Sequence, residues 1–274
     1  MLKHIIIEGV RNLAHAQVAL PAGATVLFGA NGSGKTSFLE AIHLLAVGRS
    51  FRTHQSKPVI QHGMAHCRVV GEVQRGGRAT IMGLDIHRDG GVKARVGGEN
   101  VPSLSELALH LPLVLLDTEG LGIVTGPPEG RRRLLDGTLF HVEHGFLSQW
   151  KRHALAVRQR NSGLRRGILG SDRAWRQEIA ETGTLLTQQR QAVAEKIAHE
   201  LAIIAPALSD ELSGLEVVYR AGWDQNLSLL DALERNADSD SAQGFTQVGP
   251  HRADLRLMRD GIPVSYTHLR AHET

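Results

Sequence analysis

Hydrophobic positions cluster at the start of the chain, in LKHIIIEGV (2–10), and this apolar, isoleucine-rich run predicts a β-strand. A second apolar run, GATVLFG (23–29), predicts another strand that feeds directly into a glycine-rich stretch. Beyond it, Phe38, Ile42 and Leu45 recur at helical spacing in KTSFLEAIHLLAVG, and Gly48 is a natural stop. Between residues 67 and 96, short runs broken by glycine pairs predict a small antiparallel sheet, and LPLVLLD (111–117) reads as a strand covered on both faces. The pattern then changes. From about 129 to 205 the strand signals give way to helical periodicity, with Ile179, Thr182, Leu186, Gln189, Val193, Ile197, Leu201 and Ile204 spaced by threes and fours. A strand at LEVVYRAGW (215–223), a short helix at NLSLLDALERN (226–236) and a polar loop at ADSDSAQG (237–244), returning toward the first domain, complete an α/β reading with a helical subdomain. No internal repeat or low-complexity tract interrupts it.

Composition adds limits rather than direction. The 274 residues suffice for one large or two modest domains with a buried core. No apolar run approaches the roughly 20 residues of a membrane span, and the first residues carry too short an apolar run for a secretory signal, so a cytoplasmic protein is expected. Cys67, the single cysteine, has no partner for a disulfide or a cysteine metal site and is expected to be a small buried apolar residue. The 31 cations are mostly arginine, the better bidentate phosphate ligand, which makes a nucleotide or nucleic-acid partner chemically reasonable without establishing one.

The strongest chemical signal is Gly29-Ala30-Asn31-Gly32-Ser33-Gly34-Lys35-Thr36, which fits G-x-x-x-x-G-K-[ST] between a predicted strand and a predicted helix. Glycines let backbone N–H groups turn onto phosphates, and the following helix adds positive potential at its N-terminus. Lys35 is expected to reach the β/γ-phosphates, and Thr36 to hold Mg²⁺. Such a metal also needs a carboxylate near the end of a strand, and Asp117 in LVLLDTEG is the candidate. With Asp117 in that role the chain would be a small phosphate-loop enzyme, either a GTPase, which the missing N-K-x-D tetrad weakens, or a kinase, for which no substrate signature is present.

EGVRNL (8–13), the block GANGSGKTSFLEAIHLLAVGRSFRT, TEG (118–120), RRRLLDGTLFHVE and GPHRADLRL (249–257) together carry a family resemblance from residue 1 to about 264. The sequence resembles the RecF family, bacterial recombination-repair ATPases related to the heads of structural-maintenance-of-chromosomes proteins. The resemblance implies an ATP-binding-cassette-like head: a lobe I with a mixed sheet and the phosphate-loop helix (1–122), a helical lobe II (123–240) and a return segment (241–264). It implies ATP and Mg²⁺ as cofactors, an ATP-dependent homodimer, action on single-stranded or gapped DNA with RecO and RecR, and support of RecA loading and the SOS response. It also moves Asp117 and Glu119 to the loop linking the lobes; family members more often carry Pro-Glu where this chain has Thr118-Glu119. In the family, GPHRADL is followed by a Ser-Gly-Gln signature and a Walker B strand. Here SYTHLRAHET (265–274) follows instead, does not read as family sequence and is set aside from fold reasoning. The intact family has weak DNA-dependent ATPase activity, whereas this chain is expected to cradle nucleotide without dimerising or turning over. A small-molecule kinase using Asp117 and an inert fragment are the alternatives.

Lys151, Arg152, Arg158, Arg160, Arg165, Arg166, Arg173 and Arg176 face only Asp172 in their stretch. Arg158, Arg165 and Arg166 are candidate phosphate contacts to DNA, with a solvated helix face as the other reading. Arg131, Arg132 and Arg133 are expected to pair with local carboxylates, with orienting the inter-lobe hinge or contacting DNA as the other reading; Arg52 is a candidate nucleotide contact, and His251 and Arg252 are expected to shape a turn. Trp150, Trp175 and Trp223 lack the pairing of a base-stacking platform, and the 15 histidines show no metal-binding spacing.

Overall fold

A computed structural model describes residues 1–117, 120–143, 145–168 and 170–264. The chain divides into two compact units, Met1–Leu115 and Leu116–Thr274.

In the first unit, β1 (Leu2–Val10) turns at Arg11 and Asn12 into β2 (Leu13–Ala19), and β3 (His66–Arg75), β4 (Arg78–His87), β5 (Val92–Val96) and β6 (Glu99–Asn100) extend an antiparallel sheet of order β2-β1-β3-β4-β5-β6. Alternation places Ile5 and Ile7 of β1, Val69 of β3 and Leu84 and Ile86 of β4 in one core. Helix α1 (Lys35–Val47) packs its Phe38, Ala41, Leu44 and Leu45 into the same core and ends at Gly48, whose N–H donates to the Leu44 carbonyl at 2.7 Å. Gly71 on β3 permits this contact, because a Cβ there would lie 2.5 Å from Leu45 Cδ2. A short helix, α2 (Ser105–His110), adds Leu107 to the core, and Cys67 is buried in it, where loss of solvent pushes its thiol up to about 11.

Two segments depart from the sequence pattern. GATVLFG and LPLVLLD were expected as strands, yet among the described residues neither joins a hydrogen-bonded ladder, and Phe28 and Leu116 are 91% and 84% exposed. An apolar run is compatible with a strand, but a neighbour's N–H and C=O groups complete one.

The second unit begins with α3 (Leu121–Thr125) and continues through α4 (Pro128–Val142), α5 (Phe146–Arg166) and the 37-residue α6 (Asp172–Leu208). Strand β7 (Leu215–Arg220) pairs antiparallel with β8 (Asp254–Arg259), which pairs with β9 (Ile262–Pro263). Between them lie α7 (Leu229–Arg235) and α8 (Ala237–Gln243). Leu135, Leu139, Phe146, Leu186, Val193 and Leu255 form one core, and Ala156, Ile179, Leu229 and Leu233 another, with Trp175 and Trp223 packed against the latter. The helical period read from residues 179–204 is present, but its apolar face is closely buried only to Val193 and Ala194; beyond them Ile197 is half-buried, Ala205 is buried and Ile204 is 49% exposed.

The stretch ADSDSAQG was expected to be a loop and is instead α8. Its polar composition hides a tertiary role, since the fully buried Asp240 takes hydrogen bonds from Arg160 Nη1 at 2.6 Å and from the Gln247 N–H at 3.0 Å. No described helix is long and apolar enough to cross a membrane.

Candidate functional site

The stretch Gly29–Thr36 leads into α1 and curls around a concavity of about 410 Å³ lined by Arg11, Asn12, Asn31, Gly32, Lys35 and Arg52. Its curvature needs positive φ at Gly29 (146°), Gly32 (80°) and Gly34 (99°). Gly34 is doubly constrained, because a Cβ there would also lie 2.6 Å from Leu13 Cδ2. The backbone N–H groups of Gly32, Gly34, Lys35 and Thr36 have no acceptor among the described residues, and α1 has no acidic residue in its first turn. Unpaired donors and the positive end of a helix dipole together make an anion cradle.

The side chains around it are held in order. Lys35 Nζ donates to the carbonyls of Gly29 and Ala30, both at 2.8 Å, while Thr36 is exposed at the head of the helix. Asn12 Nδ2 donates to the Gly32 carbonyl at 2.7 Å, and Asn12 Oδ1 accepts from Ser37 Oγ at 2.7 Å. Arg11 donates through Nε (2.9 Å) and Nη2 (2.7 Å) to the carboxylate of Glu40, which is fully buried. Ser50 Oγ donates to Glu40 Oε1 at 2.5 Å, and Arg52 Nη1 reaches Oε2 at 3.4 Å. Burial raises the Glu40 pKa, but hydrogen bonds and charge from Arg11, Ser50 and Arg52 outweigh it and hold the carboxyl below its ordinary range. Arg11, Asn12 and Glu40 were not singled out from sequence. The signal was there in the stripe Ser37, Glu40, Ala41, Leu44, Leu45, which sets one acid on the buried face of α1.

The other candidate residues have separate surroundings. Asp117 is exposed, and its Oδ1 accepts the Gly120 N–H at 3.0 Å; Glu119 lies outside the described residues. Arg158, Arg165 and Arg166 on α5 are exposed, and their side chains have no hydrogen bond or ion pair among the described residues. The Arg165 stem packs beside Gly244. Arg160, from the same basic run, is fully buried and donates to Asp172, Asp240 and Thr246. Arg152 pairs with Glu178 and Arg176 with Asp172.

The GPHRADL segment makes a tight 3-10 turn at Pro250–Arg252, which agrees with the turn expected for His251 and Arg252. Arginines from the helices hold it: Arg131 Nε to Asp254 at 2.7 Å, Arg132 Nη1 to the Ala253 carbonyl at 2.8 Å and Arg190 Nη1 to the Pro250 carbonyl at 2.7 Å. Arg133 pairs with Glu129, one helical turn away. Trp150 is 39% exposed, with Nε1 bonded to Asp136. The described residues contain no cluster of three or more His, Cys, Asp and Glu placed to hold a metal.

Comparison with known proteins follows the same lines. Residues 1–218 match the family described as RecF/RecN/SMC N terminal domain. The DNA replication and repair protein RecF of Stutzerimonas stutzeri is 41% identical over 259 residues, covering 93% of this chain and 70% of that protein. RecF of Pseudomonas putida is 41% identical over 267 residues, covering 95% and 71%. Among solved structures, the recombination mediator protein RecF-ATPrS in the RecFOR pathway superposes with a TM-score of 0.85 at 24% identity, covering 97% of this chain and 75% of that one. The Smc head domain from Pyrococcus furiosus reaches 0.54 at 14% identity, covering 97% and 74%. The fold is thus the ATP-binding-cassette-like head, and at about two identical residues in five across nearly its whole length the chain belongs to the RecF family.

Proposed function

We propose that this chain is an ATP-binding protein of recombinational DNA repair and replication-gap processing. The observation that carries the reading is the cradle at Gly29–Thr36, with unpaired backbone donors, Lys35 and an exposed Thr36, in a chain of the RecF family. In this reading the phosphate oxygens of ATP take the free N–H groups, and Lys35 Nζ exchanges the Gly29 and Ala30 carbonyls for β- and γ-phosphate oxygens. Thr36 would hold Mg²⁺, which when bound neutralises phosphate charge. Arg158, Arg165 and Arg166 contact the phosphates of single-stranded or gapped DNA, and Asp117 and Glu119 belong to the segment joining the two lobes. RecO and RecR are the partners, the ATP-dependent homodimer being a property of the intact family, and support of RecA loading and the SOS response is the outcome.

Lys35→Ala tests the nucleotide part. With Mg-ATP at about 100 times Kd the wild type is expected to gain about 2.7 kcal/mol in stability, and the variant to gain none while melting as the wild type does without nucleotide. Equal stabilisation of both proteins by Mg-ATP would reject the assignment of Lys35.

A further inference from the structure

A concave loop that turns its N–H groups inward turns carbonyls outward, where a protein donor in place of water can pin them. Lys35 supplies the donor for Gly29 and Ala30. In the proposed nucleotide complex Lys35 leaves them, so it cannot be what keeps the loop curved once phosphate arrives. The Gly32 carbonyl has a different donor, Asn12 Nδ2, whose own position is fixed by Ser37 on α1. Asn12 in turn follows Arg11, a non-glycine residue held at φ 56°, where an L side chain is strained. The buried carboxylate of Glu40 secures that turn through the two-pronged Arg11 contact, and Arg11 Nη1 adds the Pro58 carbonyl at 2.6 Å. Ser50 ties the segment after α1 to the same carboxylate, and the N–H groups of Arg52 and Thr53 donate to Ser50 Oγ at 2.9 and 3.2 Å.

We propose that Glu40 is a positioning residue for the phosphate cradle: through Arg11 it fixes the β1–β2 turn that holds Asn12 on the outward Gly32 carbonyl. The proposal rests on the cradle being the nucleotide site. Glu40 is fully buried and does not line the concavity. It lies one turn beyond Thr36 on the buried side of α1, and an apolar residue there would fill the same volume without ordering the turn. The Arg11 contact is bidentate and its side chain is 19% exposed, whereas Arg52 reaches the carboxylate through one nitrogen at 3.4 Å and is 44% exposed in its side chain. Arg11 is therefore the fixed partner and Arg52 the replaceable one.

Three variants of the whole chain separate positioning from simple packing: Glu40→Gln, Asn12→Ala, and the double change Arg11→Gln with Glu40→Gln, which restores a neutral hydrogen-bonded pair. Two quantities are read, the amide hydrogen exchange of residues 28–37 without nucleotide and the Kd for a fluorescent ATP analogue with Mg²⁺. Glu40→Gln is expected to speed loop exchange and raise Kd by about tenfold or more. Asn12→Ala is expected to do the same at an unchanged melting temperature, and the double variant to recover part of both. Wild-type loop exchange and wild-type Kd in Asn12→Ala, with Glu40→Gln lowering only the melting temperature, would overturn the proposal. If the wild type binds no nucleotide, the loop exchange still decides the role of Glu40, and the nucleotide reading is what falls.

Discussion

Two buried carboxylate centres use arginine in opposite ways. In the unit Met1–Leu115, Glu40 gathers Arg11 and Arg52 beside a concavity whose backbone donors are unpaired, and Arg52 remains half-exposed at its mouth. In the helical unit, Arg160 is buried between Asp172 and Asp240, with Thr246 as a further acceptor, and that centre ties α5 to the start of α6 and to α8. Yet Arg160 stands in sequence among Arg158, Arg165 and Arg166, which are exposed. What separates an exposed arginine from a buried, paired one is therefore where the carboxylates sit in space. Local charge density does not reveal it.

The largest expected effect tests that distinction. Arg160→Ala leaves the fully buried Asp240 without its cation, while Asp172 keeps Arg176, and is expected to cost about 3–5 kcal/mol, read by chemical denaturation. Asp240→Asn in the same background is expected to recover part of the loss. Arg158→Ala, from the same run, is expected to stay within about 0.5 kcal/mol of the wild type. Similar costs for the two single variants would dissolve the comparison.

Acid is expected to act next, and on the helical unit first. Burial, then the neighbouring His251 and Arg190, holds His153 down at about 3, and burial holds His251 at about 4 despite its bond to the Thr246 carbonyl. Both pKa values are depressed, so both rings stay neutral when folded while the unfolded chain takes up protons below about 6.5. Stability is present above that value and is lost as pH falls toward the folded values. The loss is on the order of 2 kcal/mol for each histidine between about pH 7 and pH 5. The contributions of Glu40 and Asp254, whose pKa values are also lowered, persist in this range and fade only below about pH 4. His153→Phe is expected to flatten the slope between pH 7 and 5; an unchanged slope would remove His153 from the account.

Legibility in the sequence follows the same division. The cradle was readable because its requirement is local: glycines where φ is positive, a lysine and a threonine at the head of a helix. Helix α1, the antiparallel β3–β5 sheet and the periodic helices were readable because burial repeats at their own spacing. What failed depends on partners far along the chain. GATVLFG and LPLVLLD are apolar enough for strands but have no ladder among the described residues, and α8 looked like a loop because the cation that buries Asp240 comes from 80 residues away. Glu40 belongs with these: its partner Arg11 is 29 residues distant, and no spacing rule connects them.

A smaller, local effect offers a scale for the buried centres. Ser228 caps α7, its Oγ accepting the Asp231 N–H at 3.1 Å, and Ser228→Ala is expected to cost about 1 kcal/mol by thermal denaturation. A cost as large as that of Arg160→Ala would mean that capping, and not the buried ion pair, holds this part of the helical unit together.

The smallest effect on stability is expected where the effect on binding is sharpest. Arg165 and Arg166 are exposed at the end of α5, with no ion pair to lose among the described residues, so reversing both to Glu is expected to leave stability within about 0.5 kcal/mol. If each contacts one phosphate, the slope of log K against log salt for single-stranded DNA is expected to fall by about 0.7 per residue, and affinity at low salt to fall without change in sequence preference. A wild-type slope in the double variant would turn these arginines into a solvated helix face. Unfolding of the variant would show instead that they had partners like those of Arg160, and exposure would no longer separate the two kinds of arginine in this protein.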